Sequence, residues 1–311
     1  MLLFPAEPFA GPVPDSMYVQ EVEAAQQQSL AHAIIDFEAL LDGKLKQALR
    51  WVPRNEEPRL ALFRGWMLRP EVYGGLYGAL QERGLHLINT PEQYRHVHHL
   101  PESFSAVSEA SPRTVWLPAD TARAVDREVL RSALLGFGKR SGIVKDYVKS
   151  RKHEWLEACF IPDFSDTQRA LRVIDTFLER QAEAFEGGLV LREFEEFMPL
   201  AEHSRSGLPL TREYRLFFLN GAVMTADEYW EEGEYPEAAL PLEDFARLGA
   251  GVNSRFFTMD VAQRVDGEWR VMELGDGQVA GLPERADVTR FYAVLAPVLL
   301  SGATLPGYKG R

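Results

Sequence analysis

A turn near the carboxyl end constrains this chain most, because it sets a strand register. Phe256-Phe257-Thr258-Met259-Asp260-Val261-Ala262-Gln263-Arg264-Val265 is apolar and β-prone, and Glu268-Trp269-Arg270-Val271-Met272-Glu273-Leu274 follows after Asp266-Gly267. Asp-Gly between two such runs predicts a two-residue hairpin turn. Pairing Val265 with Glu268 across it brings Asp260 opposite Glu273 on one face. Cβ atoms at such positions lie about 4.5–5.5 Å apart, where like charges are destabilising unless something sits between them. A hard cation such as Mg²⁺ takes carboxylate oxygens and commonly bridges to substrate phosphates. Asp276, just past the second strand, is in place to supply a third oxygen. The expectation is a metal–nucleotide site held by Asp260, Glu273 and Asp276.

Charge narrows the partners. The 311-residue chain carries a net charge of -12, which argues against a general nucleic-acid binder but leaves room for a local basic pocket. Such a pocket has a candidate between Lys139 and Lys152: Lys139, Arg140, Lys145, Lys149, Arg151 and Lys152 face one acid, Asp146. Alone, this run reads as a solvated basic turn; upstream of a carboxylate pair it reads as a polyphosphate clamp. No apolar run is long enough to span a bilayer. Met1-Leu2-Leu3-Phe4-Pro5-Ala6-Glu7 lacks the basic start of a signal peptide. A single cysteine, Cys159, suits a reducing compartment, and a cytoplasmic location is expected. Cys159 lies in the apolar run Ala158-Cys159-Phe160-Ile161 and reads as core rather than as a nucleophile.

The pattern of elements is α/β first, then mixed and largely antiparallel. Leu60–Phe63 reads as a strand, Pro70 opens a helix that Gly84 ends, and Leu85–Asn89 reads as the next strand. That is a βαβ unit with a parallel pair, and Arg64-Gly65-Trp66 sits at the carboxyl end of its first strand, where open parallel sheets bind ligands. It reads equally as a site where Arg64 and Trp66 help bind a substrate or as a loop that packs Trp66. A helix is expected over Ala119–Leu135, then a strand carrying Lys145. Ser165 with Gln168 suggests a capping box for a helix ended by Gly187-Gly188, and Leu189–Phe194 reads as a strand. Arg212–Leu219 predicts another strand, turning at Asn220-Gly221 into Ala222–Met224. Asp227–Glu237 reads as a surface loop, Leu240–Leu248 as a short helix and Ala286–Leu300 as a terminal helix. Domain boundaries are expected near residues 115 and 187, giving segments 1–115, 116–187 and 188–311.

Two tempting motifs fail. Gly136-Phe137-Gly138-Lys139-Arg140 lacks the spacing and the Ser/Thr of a P-loop. Tyr94-Arg95-His96-Val97-His98-His99 suits no structural zinc spacing, and its histidines are expected to be solvated or capping.

The later features, in this order, resemble the ATP-grasp superfamily. They are Ile143-Val144-Lys145, the strand and acidic connection from Leu189 to Glu196, Glu213-Tyr214-Arg215, and the hairpin with Asp260 and Glu273. Lys145-Asp146-Tyr147-Val148-Lys149-Ser150-Arg151-Lys152 is similar to the clade named for two arginines and one lysine. The resemblance spans about Thr114 to Leu300. It implies an N-terminal α/β pre-grasp domain followed by an ATP-grasp fold whose two subdomains enclose the nucleotide.

By that resemblance Lys145 contacts the α- and β-phosphates, and Lys149, Ser150 and Lys152 close over phosphate. Arg192, Glu193 and Phe194 present backbone groups to adenine, and Glu193 or Glu213 takes the ribose hydroxyls. Arg215 lies near the γ-phosphate, and Asp260, Glu273 and Asp276 hold one or two Mg²⁺. Two departures stand out: Gly275-Asp276 occupies the stretch where the superfamily usually has Asn, and the loop after the lysine strand contains no glycine. The implied reaction joins a carboxylic acid, small-molecule or peptide, to an amine through an acyl phosphate, releasing ADP and phosphate. Nucleotidyl or phosphoryl transfer to a nucleic-acid end or protein is the alternative enzyme reading, and a non-catalytic ATP-binding module the non-enzymatic one.

Overall fold

The computed structural model describes residues 1–202, 204, 209–235 and 240–301. The chain divides into two compact units. The first comprises Met1–Val97, Glu213–Asp260 and the stretch from Leu274 onward; the second comprises His98–Arg212 and Val261–Glu273.

The first unit is built on a parallel sheet of β1 (Leu2–Pro5), β2 (His32–Ile35), β3 (Arg59–Phe63) and β4 (Leu85–Leu87), in the order β2-β1-β3-β4. Both faces are covered, so its strands are almost continuously apolar. Leu3, Ala61, Phe63, Leu85 and Leu87 pack against the helix Pro70–Gln81 through Tyr73, Leu76 and Leu80. Leu2, Phe4, Leu60 and Leu62 pack on the opposite side against helices Val19–Gln27 and Val288–Leu300. The βαβ unit read from residues 60–89 is present, with Gly84 at φ +71 after the helix.

The second unit holds β5 (Thr114–Pro118), β6 (Gly142–Asp146), β7 (Phe160–Ile161) and β8 (Gly188–Glu193), an antiparallel sheet in the order β5-β8-β6-β7. Leu117, Val144, Leu189 and Leu191 point into a core roofed by helices Arg127–Phe137 and Thr167–Gln181. The first of these helices begins later than the expected Ala119, because Asp126 caps it by accepting from Glu128 N and Val129 N. For the second, the cap is Asp166, accepting from Arg169 N; the Ser165 hydroxyl donates to Asp163 instead. That helix stops at Gln181, ahead of Gly187-Gly188. The two glycines serve a different need: a Cβ at either would overlap the Tyr147 ring. Cys159 is buried, which pushes its thiol up to about 11 and makes it inert, as expected of a core residue.

Also in the second unit, β9 (Pro199–Glu202) pairs with β10 (Pro209–Thr211). A third four-stranded sheet runs β12-β11-β13-β14, with β11 (Glu213–Leu219), β12 (Ala222–Glu228), β13 (Phe256–Gln263) and β14 (Trp269–Asp276). Leu219 pairs with Ala222 across Asn220-Gly221, both at positive φ as the expected tight turn requires. β12 extends four residues beyond the expected Met224, to Glu228; residues 236–237 of the expected surface loop lie outside the described residues.

Two of the three histidines depart from the expected solvated or capping role: His98 is buried, and His99, though at the N-cap position of the helix Leu100–Val107, makes no side-chain cap bond. His98 and His99 direct Nε2 to one Glu186 oxygen, at 3.5 and 2.9 Å. Burial works to raise the Glu186 pKa, but the imidazole hydrogen bonds outweigh it and hold the carboxyl at about 2. A depressed carboxyl stabilises the fold above its unfolded value near 4.5, and that contribution disappears as pH falls toward 2. Its size is about 3 kcal/mol. His99→Gln is therefore expected to shift the acid loss of stability to higher pH, read by urea unfolding between about pH 6 and 2. An unchanged pH dependence would show that the imidazoles do not hold this carboxylate.

Candidate active site

In β6, residues alternate between the two faces of the sheet. Val144 enters the core, whereas Ile143 and Lys145 lie on the opposite face, paired with Arg192 and Val190 of β8. Lys145 is buried, and its Nζ lies 3.2 Å from Glu273 Oε1. Arg192, also buried, donates from its Nη1 to Met272 O at 2.6 Å and from Nε to Thr114 Oγ1 at 3.2 Å. Burial pushes the Glu273 pKa up, but the charges of Lys145, Lys152 and Arg192 and the Lys145 hydrogen bond prevail and hold it low. The second unit thus gathers Lys145, Arg192 and an ionised Glu273 on the face of the sheet opposite the core.

The loop after the lysine strand has no glycine because an aspartate shapes it. Asp146 Oδ1 accepts from Val148 N at 2.8 Å and Lys149 N at 2.6 Å, and Oδ2 accepts from Gln181 Nε2. Asp146 N in turn donates to Lys149 O, closing a tight turn that brings Ser150 back beside Lys145. Lys149 and Lys152 project into solvent from this loop. Glu193 pairs with Arg140 at 3.1 Å, and the amide N–H groups of Glu193 and Phe194 donate to Arg113 O and Ser141 O. The Phe194 ring meets Trp155 and Phe160 edge-on.

The first unit presents a second cation–carboxylate pair. Arg215 grips Asp260 with both prongs of its fork, Nε to Oδ1 at 2.8 Å and Nη2 to Oδ2 at 2.7 Å. Its Nη1 donates to Gly281 O and its guanidinium lies over the Tyr229 ring. Glu213, at the start of the same strand, accepts at its carbonyl from Tyr235 Oη and Tyr229 N.

The hairpin itself departs from expectation at its tip. Arg264 N donates to Glu268 O and Gly267 N to Arg264 O, so the loop has three residues, Val265-Asp266-Gly267, with Gly267 at φ +93. The expected Val265–Glu268 pair, which sets Asp260 opposite Glu273, does not form. Asp-Gly also suits this longer loop, in which glycine takes the left-handed position. At the hairpin base Gly277 N donates to Phe256 O and Thr258 Oγ1 faces Gly275. A Cβ at Gly275 would stand 2.9 Å from Thr258 Oγ1, so no asparagine ligand fits there without a shift.

Asp276 is held by amide donors of the first unit. It is 1% exposed and accepts from Asn89 Nδ2, Gln278 N and Gln278 Nε2. Among the described residues, no three or more His, Cys, Asp or Glu cluster as a metal centre. Asp260 in the first unit and Glu273 in the second each offer the oxygen donors that a hard cation takes, and each is paired with a cation of its own unit.

Arg64 was an expected substrate contact, but its side chain is taken up inside the fold. It is 1% exposed, forms a bidentate pair with Glu21, and donates to Gly277 O and Ala280 O. Tyr292 Oη donates to the same Glu21. Trp66 packs edge-on against Tyr18. Sequence reasoning passed over Asn89, whose only signal was a polar residue ending an apolar strand.

Residues 134–295 match the family model described as an ATP-grasp domain, family 3 of the clade named for two arginines and one lysine. No curated protein sequence matches the chain. Among solved structures, the ATP-grasp ligase PsnB, complexed with minimal precursor, Mg and ADP, is 16% identical with a TM-score of 0.54, covering 97% of both chains. The D-cycloserine synthetase DcsG is 15% identical, TM-score 0.59, over 96% of this chain and 99% of that one. D-alanyl-alanine synthetase A from Vibrio cholerae O1 biovar eltor is 12% identical, TM-score 0.59, over 97% and 98%. These likenesses identify the fold: mixed α/β, of the kind seen in ATP-grasp ligases. Among the described residues, no helix is long and apolar enough to cross a membrane.

Proposed function

We propose, on the premise that this chain belongs to family 3 of the two-arginine, one-lysine clade of ATP-grasp domains, that it is an ATP- and Mg²⁺-dependent ligase joining a carboxylic acid to an amine. The observation that carries the reading is that Lys145, Arg215, Asp260 and Glu273 all fall within the matched residues 134–295. Phosphoryl transfer asks a protein for positioning and charge neutralisation rather than for a covalent nucleophile. Lys145 supplies a point charge to the α- and β-phosphates, and Arg215 a planar fork matched to the γ-phosphate oxygens. Asp260 and Glu273 would hold Mg²⁺, which would supply charge neutralisation to the transferring phosphoryl group. When nucleotide binds, Lys145 and Arg215 each exchange a carboxylate partner for phosphate oxygens. Lys149, Ser150 and Lys152 approach the phosphates from the Asp146 turn. The segment around Arg192, Glu193 and Phe194 faces adenine, and Glu193 or Glu213 the ribose.

The reaction then runs through an acyl phosphate. The substrate carboxylate attacks the γ-phosphorus, ADP leaves, and the amine displaces phosphate from the activated carbonyl. Solved proteins of this fold include a D-alanyl-alanine synthetase and a macrocyclase bound with a precursor peptide, which recommends amino acids and peptides as first substrates. Hydroxylamine offered as the amine is expected to trap the intermediate as a hydroxamate with stoichiometric ADP and phosphate. Release of AMP and pyrophosphate would overturn the acyl-phosphate reading in favour of adenylation.

A further inference from the structure

Four buried polar side chains of the first unit form one closed network at the base of the carboxylate-bearing hairpin. Asn89, Tyr73 and Gln278 have no exposed surface and Asp276 has almost none. The Asn89 amide imitates a peptide group. Its Oδ1 accepts from Arg255 N at 3.0 Å and Phe256 N at 3.1 Å, while Nδ2 donates to Phe256 O at 2.7 Å. One side chain thereby satisfies both backbone groups of the first residue of β13. The same Nδ2 donates to Asp276 Oδ2 at 2.6 Å, which ties the start of β13 to the end of β14.

The remaining contacts anchor this tie to the parallel sheet. Asp276 Oδ1 accepts from Gln278 N and Nε2 at 2.9 and 3.1 Å. Gln278 Nε2 also donates to Tyr73 Oη, which donates to Asn89 O, and Gln278 Oε1 accepts from Phe63 N. Phe63 ends β3, and Asn89 lies two residues beyond β4. The carboxyl ends of parallel strands are where open sheets usually receive ligands. Here the chain's own Asp276–Gln278 segment is bonded to them.

We infer that Asn89 and Asp276 form a clamp that fixes the register of the hairpin, so that Asp276 is a positioning residue and not a metal ligand. The inference rests on the reading above, in which Asp260 and Glu273 bind Mg²⁺. Asp260 lies four residues along β13 from the clamped Phe256, and Glu273 lies three residues before Asp276 on β14. A buried carboxylate already facing three protein donors has strong reason to stay where it is, since a lone buried charge is costly. Supporting partners of this kind set metal affinity without touching the ion.

The test is Mn²⁺ binding in the presence of ADP, read from the EPR signal of free Mn²⁺, alongside thermal unfolding. Asp276→Asn sets two amide donors against each other at Asn89 and is expected to weaken Mn²⁺ binding about 10-fold. Adding Asn89→Asp restores a donor–acceptor pair with position 276 but removes the donor to Phe256 O, so part of the lost affinity and melting temperature is expected to return. If Asp276 is a ligand, Asn89→Asp will leave the affinity loss in place or deepen it, and the clamp is wrong. Should Asp276→Asn prove insoluble, Asn89→Ala leaves the Asp276 carboxylate untouched. Weaker Mn²⁺ binding there supports the clamp, and wild-type affinity overturns it. Asp260→Asn separates the two readings: wild-type Mn²⁺ affinity in that variant would sink the metal assignment, while recovery of melting temperature in the double variant would still report the clamp.

Discussion

Lys145→Ala is expected to lower ATP turnover by about 10³-fold while the protein still folds. The side chain leaves the face of β6 opposite the core and is buried against the Glu273 carboxylate, within a chain whose overall charge is strongly negative. Among the cations of the Lys139–Lys152 run, this one is fixed by strand geometry. Folding should suffer little for two reasons. Val144 and Asp146, its neighbours in β6, carry the core packing and the turn, and alanine keeps the strand register. The stranded Glu273 carboxylate is about half exposed at 48%, so water replaces much of what the lysine gave. The measurement is ADP release at saturating Mg²⁺, with a thermal melt as control. A variant that turns over at the wild-type rate would remove Lys145 from the phosphate-binding role.

How far the sequence can be read follows from how local each signal is. The lysine strand, the βαβ unit and the Asn220-Gly221 turn are legible because each is written within about thirty residues or fewer, in apolar alternation and turn chemistry. Errors arise where two local readings compete. Asp266-Gly267 suits both a two- and a three-residue loop, and Asp166 caps its helix in place of the neighbouring Ser165. Arg64 misleads because its position suggests a ligand while its partners, Glu21 and Tyr292, sit 43 and 228 positions away. The Asn89 clamp is the extreme case. Its bonds to Phe256 and Asp276 span 167 and 187 residues, and no periodicity encodes a contact at that range. Neighbours in sequence put Asp276 among the metal-ligand candidates, whereas its hydrogen bonds lie with Asn89, beyond the end of β4, and with Gln278.

Asp260→Asn should abolish turnover and also weaken the fold, and the second effect is the more informative. With Asp260 ionised, the Arg215 guanidinium has a bidentate partner in a site where the two side chains are 16% and 7% exposed. Neutralising the acid takes that charged partner away, while the contacts to Gly281 O and Tyr229 are uncharged. Breaking one partner of a fully buried pair costs about 3–5 kcal/mol, so this partly exposed pair should cost about 2 kcal/mol. Urea unfolding will register it as a lower midpoint at unchanged slope. Removing both charges, as Asp260→Asn with Arg215→Met, should return most of that stability, because neither partner then leaves the other as a buried ion. Activity should behave oppositely and stay absent in the double variant, since both the Mg²⁺ ligand and the γ-phosphate contact have gone. That split between recovered stability and unrecovered turnover is what a purely structural ion pair cannot produce. If the double variant regained ADP release together with its stability, Arg215 and Asp260 would be scaffold, and the catalytic assignment of the first unit would have to move elsewhere.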